Sequence, residues 1–304
     1  MATIEYNNTP DERFENLEGY SYPANYVHVE GGMQVHYIDE GPRDGQVILL
    51  MHGEPSWSYL YRHMIDGLTN HGYRCVAPDL IGFGKSSKPI HQSDYNYAKH
   101  VEWTLDWFDQ VGISDVTLFC QDWGGLIGLR LVSARPEKFA RLAISNTGLP
   151  TGDRTPSEAF LKWQKFSQKV EQFPFERVLQ DATQTELSAE VLKAYRAPFP
   201  DETYAAGAKI FPALVPTSPD DPESQKNRDA WSDVLTKWTK PVITLFGDKD
   251  PVTAGGEKVI QKLIPGTKGQ NHTNILDGGH FIQEDKPQEL VSHLHDFITS
   301  NPLS

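Results

Sequence analysis

The chain has 304 residues, enough for one large α/β domain or for a core that carries an insertion. Hydrophobic residues make up 38% and charged residues 23%, which excludes long disorder, and a net charge of −13 without a visible basic face excludes a nucleic-acid partner. Cys75 and Cys120 both fall in apolar runs that read as buried strands, so a reducing compartment, the cytoplasm, is expected in place of a disulfide framework. No apolar signal segment lies in the polar start and no apolar run reaches 18 residues, so neither secretion nor a membrane is expected. The Asn-x-Thr triplets at Asn7 and Asn271 are then read as chance occurrences.

Residues 1–25, with Pro10 and Pro23, read as an irregular arm. Tyr26–Glu30 and Met33–Asp39, joined at Gly31-Gly32, read as a two-stranded hairpin. Val47–Met51 is a continuous apolar run, the pattern of a strand buried on both faces. A helix over about Trp57–Asn70 and a strand Arg74–Pro78 follow. The next loop contains Gly84-Lys85-Ser86, but a phosphate-cradling loop requires glycine where Asp79 stands. Tyr97–Val111 has helical spacing, with Val101, Leu105 and Phe108 on one face and Trp103 and Trp107 as an i,i+4 packing pair.

The strand Val116–Gln121 breaks at Asp122 and passes through Gly124-Gly125 into an apolar helix ending near Arg135-Pro136. Ala140–Asn146 is a further strand. From 149 to 228 there are helical stretches such as Ala159–Gln172 and Ser188–Tyr195, many prolines and no convincing strand, which is the composition of a helical insertion. The alternation resumes with a helix at Trp231–Trp238, strand Val242–Phe246, helix Gly256–Leu263, strand Thr273–Leu276 and a final helix Pro287–Thr299. The expected architecture is a mainly parallel sheet of eight strands with helices on both faces, its core formed by 1–148 and 229–304 and its cap by 149–228. Ligands in such sheets bind at the carboxyl ends of the strands, where Asp122, Asp250 and His280 all fall.

Those three residues stand in the order nucleophile, acid, histidine, the order of the α/β-hydrolases. The tight strand-turn-helix around Asp122 has the geometry of a nucleophile elbow, with a carboxylate where esterases carry serine, so serine esterase activity is disfavoured. A carboxylate at a helix N-terminus attacks an electrophilic carbon without a base and leaves an ester. Water must then attack that ester, and neutral His280, oriented by a carboxylate on its other nitrogen, is suited to take the proton. Backbone N–H groups of Trp123 and Glu54 are the candidates for an oxyanion hole. As blander readings, Asp122 alone is a helix cap, His52 shapes its loop, and Asp248 and Asp277 compete with Asp250 but suit turns.

With these residues in view, the chain resembles the haloalkane dehalogenases, α/β-hydrolases with a helical cap. The resemblance runs from Asp11-Glu12-Arg13-Phe14 nearly to the C-terminus and is strongest at His52-Gly53-Glu54-Pro55-Ser56-Trp57, Gln121-Asp122-Trp123-Gly124-Gly125, Ala197-Pro198-Phe199-Pro200-Asp201 and Gly279-His280-Phe281. It is similar to the subgroup with two halide-binding tryptophans, which implies that role for Trp123 and Trp163. Indole N–H groups suit a weakly basic halide because they donate and carry no lone pair. The related subgroup places its acid where this chain has Asn146, which favours Asp250. Leu126, Phe160, Phe211, Pro212 and Val215 match apolar pocket positions of the family.

The resemblance implies hydrolysis of a small halogenated alkane to an alcohol, a halide ion and a proton through an ester on Asp122, by a monomer with no metal or other cofactor. An epoxide hydrolase with the same Asp, His and Asp groups is the alternative, and it would need cap tyrosines, for which Tyr195 and Tyr204 are candidates. A non-catalytic small-molecule-binding α/β-hydrolase is the second alternative.

Overall fold

The computed structural model describes residues 4–303, so Met1 to Thr3 and Ser304, the outer ends of the two expected core segments, lie outside the described residues. Its central sheet contains β1 (Asn25–His28), β2 (Gln34–Glu40), β3 (Val47–Met51), β4 (Arg74–Pro78), β5 (Val116–Gln121), β6 (Phe139–Ser145), β7 (Val242–Gly247) and β8 (Thr273–Ile275). They lie in the order β1-β2-β4-β3-β5-β6-β7-β8. β2 runs antiparallel to both of its neighbours, β1 and β4, and every other neighbour pair is parallel. The eight strands expected from the sequence are all present, with ends shifted by a residue or two.

The strand order places the helices. The chain steps from β3 outward to β4, then returns past β3 to β5. Right-handed crossovers therefore put α1 (Arg62–Asn70) and α2 (Tyr97–Val111) on opposite faces of the sheet. The α3 helix (Trp123–Ala134) packs beside α2, whereas α1 packs against the last helix, α11 (Pro287–Ser300). Covered on both sides, β3 and β5 bury every residue, which is why they read as unbroken apolar runs. The chain direction reverses at β3, so the crevice at the carboxyl ends of β3 and β5 is the topological switch point.

Several boundaries differ from the sequence reading for physical reasons. The helix expected from Trp57 begins as a 3₁₀ turn at Ser58–Tyr61, because the Ser58 N–H is held by Asp79 Oδ1 at 2.7 Å. The first cap helix, α4 (Glu158–Ser167), ends short of Gln172, and the chain turns back to bring the Phe173 ring within 5.8 Å of Trp163. Two more cap helices, α5 (Phe175–Asp181) and α7 (Ala206–Leu214), flank α6 (Ala189–Arg196), and Pro212 inside α7 obscured its helical pattern.

The helix expected at Trp231–Trp238 is instead α8 (Pro222–Asp233), capped by Asp221 through the Glu223 N–H at 2.8 Å, followed by a short 3₁₀ turn. It lies on α3 through Arg130, which meets Glu223 at 3.0 Å and Asn227 at 3.1 Å. Residue 228, the expected end of the cap, is thus inside a helix. A short α9 (Gly256–Leu263) follows β7, and α10 (Ile282–Asp285) precedes α11. The arm is not wholly irregular, since Tyr6–Asn7 pairs antiparallel with Lys88–Pro89. Cys75 and Cys120 are free and buried in β4 and β5, and burial pushes both thiols up.

Candidate active site

Asp122 stands between β5 and α3 with φ 51° and ψ −128°, a left-handed conformation that costs a side-chain-bearing residue on the order of 1–3 kcal/mol. The surroundings fix that conformation from both sides. Its N–H donates to Asn146 O at 3.0 Å, and its carbonyl accepts the Thr147 hydroxyl at 2.6 Å. The helix after it starts so close to β3 that a Cβ on Gly124 would lie 2.0 Å from Met51 O. On the facing loop, a Cβ on Gly53 would lie 2.2 Å from Asp122 Oδ1. Glycine at these two positions lets the carboxylate tuck against the end of β3.

The two carboxylate oxygens of Asp122 differ in their surroundings. Oδ1 accepts the Glu54 N–H at 2.8 Å. Oδ2 lies 3.5 Å from His280 Nε2. The Trp123 N–H, at the first position of α3, has no hydrogen-bond partner among the described residues. His280 Nδ1 meets Asp250 Oδ2 at 3.0 Å, and Asp250 also accepts the Val252 N–H at 2.9 Å and the Thr253 hydroxyl. Asp248 instead pairs with Lys249 at 2.7 Å, and Asp277 occupies a left-handed turn with φ 55°. The structure therefore brings Asp122, His280 and Asp250 together and leaves the two competing aspartates outside.

Electrostatics follow from this arrangement. Burial alone would depress the His280 imidazole, but the charges of Asp250 and Asp122 outweigh it and raise the group well above its ordinary value. Burial alone would raise the Asp250 carboxyl, but the His280 charge and three hydrogen bonds hold it below the usual carboxylate range. Burial and the Asp122 charge push the Glu54 carboxyl well up, with His280 and the Trp163 indole acting the other way. The Glu54 side chain is thus disfavoured as an anion beside Asp122. Burial lowers His52, whose two ring nitrogens are used by Gly53 O and the Leu80 N–H, both at 2.9 Å, so it is a structural histidine.

Residues that sequence reading missed hold the histidine loop. The Ala182 carbonyl, from the cap, accepts the His280 N–H at 2.8 Å. Asp285 accepts the Gly279 N–H at 2.7 Å and, through its other oxygen, the Gln184 and Thr185 N–H groups of the cap. Asn146 donates to the carbonyls of Gly279 at 2.8 Å and His280 at 3.0 Å and accepts the Gly247 N–H at 2.8 Å. Gln121, the residue before the elbow, was visible in sequence by its position. The backbone contact at Ala182 carried no sequence signal.

Asp122 and His280 open on a cavity of about 1500 Å³ between core and cap, lined by Glu54, Trp123, Leu126, Phe160, Trp163, Pro212 and Val215 among others. Phe211 was expected there and does not line it. It is fully buried on the core side of α7, 4.7 Å from the Trp123 ring and 4.8 Å from Phe83, so it supports Trp123 from behind. No tyrosine lines the cavity among the described residues. Tyr195 is buried elsewhere, with its hydroxyl on the Glu284 carboxylate, which also binds Arg62 at 2.5 and 2.9 Å.

A carboxylate on a strand-turn-helix elbow, with a histidine and an acid following later strands of a mainly parallel sheet, defines an α/β-hydrolase, and the alpha/beta hydrolase fold family matches residues 46–287. The chain is 55% identical to a haloalkane dehalogenase of Psychrobacter cryohalolentis over 298 residues, 97% of this chain and 98% of that one. It is 48% identical to a haloalkane dehalogenase of Mycolicibacterium paratuberculosis, covering 94% of this chain and 96% of that protein. The chain belongs to the haloalkane dehalogenases. In structure it is similar to a tetrameric haloalkane dehalogenase from Paraglaciecola agarilytica, with a TM-score of 0.87, 35% identity and coverage of 95% of this chain and 97% of that one.

Proposed function

We propose that Asp122, His280 and Asp250 carry out the hydrolytic dehalogenation to which the family membership points, with a small halogenated alkane and water as substrates. Asp122 Oδ2, which no backbone donor engages, attacks the halogen-bearing carbon and displaces halide, forming an alkyl ester. Oδ1 stays on the Glu54 N–H and becomes the ester carbonyl oxygen. Water then attacks the Asp122 carboxyl carbon while His280 Nε2 takes its proton, and Asp250 stabilises the imidazolium. The oxyanion that develops on Oδ1 meets the Glu54 N–H and the unpartnered Trp123 N–H. Collapse releases the alcohol and restores the carboxylate.

The observation that carries this reading is the pairing of an exposed carboxylate oxygen with two indole-bearing residues, Trp123 and Trp163, around one cavity. Halide leaves beside N–H donors that cannot act as proton sources. Trp163→Phe keeps an aromatic ring and removes the donor, so halide affinity is expected to weaken by about tenfold, the loss of one charge-assisted hydrogen bond, read by halide quenching of tryptophan fluorescence. Unchanged affinity would remove Trp163 from the halide site.

An epoxide hydrolase would need an acid to protonate the oxirane oxygen. Among the described residues the cavity offers no tyrosine for that step, although Glu54, whose carboxyl is pushed well up, lines it. The discriminating experiment is halide release from 1,2-dibromoethane and 1-bromobutane, with styrene oxide run alongside. Halide and alcohol are expected, and diol without halide would overturn the reading.

We infer a monomer as the acting unit, as the family resemblance implies. Light scattering is expected to give a 34.2 kDa species, and a tetramer would contradict it. The free, buried cysteines support the cytoplasm as its location, where a tagged chain should fractionate. Among the described residues no helix is long and apolar enough to cross a membrane. The contacts of α8 with α3 support a cap of about 149–221 between two core segments.

A further inference from the structure

Gln121 is fully buried, and its amide nitrogen lies 3.1 Å from His280 Nε2 and 3.1 Å from the His280 carbonyl oxygen. Its Oε1 has no partner among the described residues. The amide cannot be turned over without cost, because Oε1 would then face the His280 carbonyl, acceptor against acceptor. One amide hydrogen therefore holds the loop, and the other is directed at Nε2. We propose that Gln121 is a positioning residue that holds His280 in its base form by donating an N–H to Nε2.

The chemistry follows from which nitrogen is free. With Nδ1–H given to Asp250, the lone pair of the neutral ring is on Nε2, where the Gln121 N–H meets it. An imidazolium would turn N–H against N–H at the same 3.1 Å. The charged groups around the ring act in the opposite direction. Asp250 follows β7 and Asp122 is the elbow residue; Glu54, whose carboxyl burial and Asp122 push well up, follows β3, while the cap presents the Ala182 carbonyl to the backbone N–H. Alkylation removes the Asp122 charge, and Gln121 and Asp250 then oppose each other in deciding how readily His280 sheds its proton before water attacks.

This inference rests on the reading of His280 as the base for ester hydrolysis. It is tested by Gln121→Met, of similar shape without the donor, and Gln121→Glu, of similar shape with an added acid. Single-turnover kinetics with 1-bromobutane would follow halide release and decay of the Asp122 ester separately across pH. The ester-decay midpoint is expected to move up by about half to one pH unit in Gln121→Met, so that decay at neutral pH slows roughly three- to tenfold and recovers at higher pH. In Gln121→Glu the upward shift should be larger.

A fall by one factor at every pH, or no change in both variants, would overturn the proposal. If Gln121→Met does not fold, as judged by circular dichroism, the sign of the shift in Gln121→Glu decides. Ester that fails to accumulate in His280→Gln would overturn the underlying reading of His280. Ester that accumulates there while the Gln121 midpoints stay fixed would overturn the role of Gln121 alone.

Discussion

His280→Gln is expected to release one halide per active site and then stop, with the alkyl group retained as an ester on Asp122. Glutamine approximates the Nδ1 position and cannot accept the proton of the attacking water, so sustained turnover should fall by about 10²–10⁴-fold. The halide step needs only the Asp122 anion and should survive. In the unaltered enzyme the same division predicts the pH dependence. Because Asp250 and Asp122 raise His280, its neutral form grows as pH increases, and ester hydrolysis should accelerate with pH. Halide release does not require that form and should not follow the same curve. Esterification also discharges Asp122, so the midpoint for ester hydrolysis should lie below the resting enzyme's imidazole titration. A pH-independent ester decay would contradict the role of His280.

Asp122→Ala should abolish halide release, with a loss on the order of 10⁴-fold or more, since it removes the elbow carboxylate that opens on the cavity. The Glu54 carboxyl, which burial and the Asp122 charge push well up, is disfavoured as the anion that a nucleophile must be. The substitution also puts alanine at φ 51°, where aspartate is better tolerated, so a modest stability loss of about 1 kcal/mol is expected as well. Halide assays must therefore be paired with circular dichroism. A folded Asp122→Ala protein that still releases halide would exclude Asp122 as the nucleophile.

The parts of this site that were legible in sequence are those whose local pattern is forced by geometry. An apolar run ending in Asp122 and two glycines has few other uses, because only small residues allow α3 to start against Met51. Asp250 and Asp248 were separated in sequence only by the suitability of Asp248 to a turn and by the family resemblance, since both lie in one short loop. The structure separates them by a two-residue difference that points one side chain at His280 and the other at Lys249.

The misreading of Phe211 has a related origin. Adjacent helical residues point about 100° apart, so Pro212 lines the cavity while Phe211 enters the core, but α7 was not recognised as a helix and its faces could not be assigned. The start of α8 was legible and overlooked, because Asp221 followed by Pro222 is a strong N-terminal signal. The Ala182 and Asp285 contacts with the histidine loop depend on how the cap docks, and backbone carbonyls and N–H groups leave no mark in sequence.

The most direct test of the central claim is a single turnover in ¹⁸O-labelled water with enzyme in excess over 1-bromobutane. The account predicts that the alcohol keeps the unlabelled oxygen of Asp122 and that the label enters the Asp122 carboxylate, detected by mass spectrometry of the peptide that contains it. Label found in the first-turnover alcohol, with Asp122 unlabelled, would mean that water attacks the substrate carbon directly and would contradict the ester mechanism.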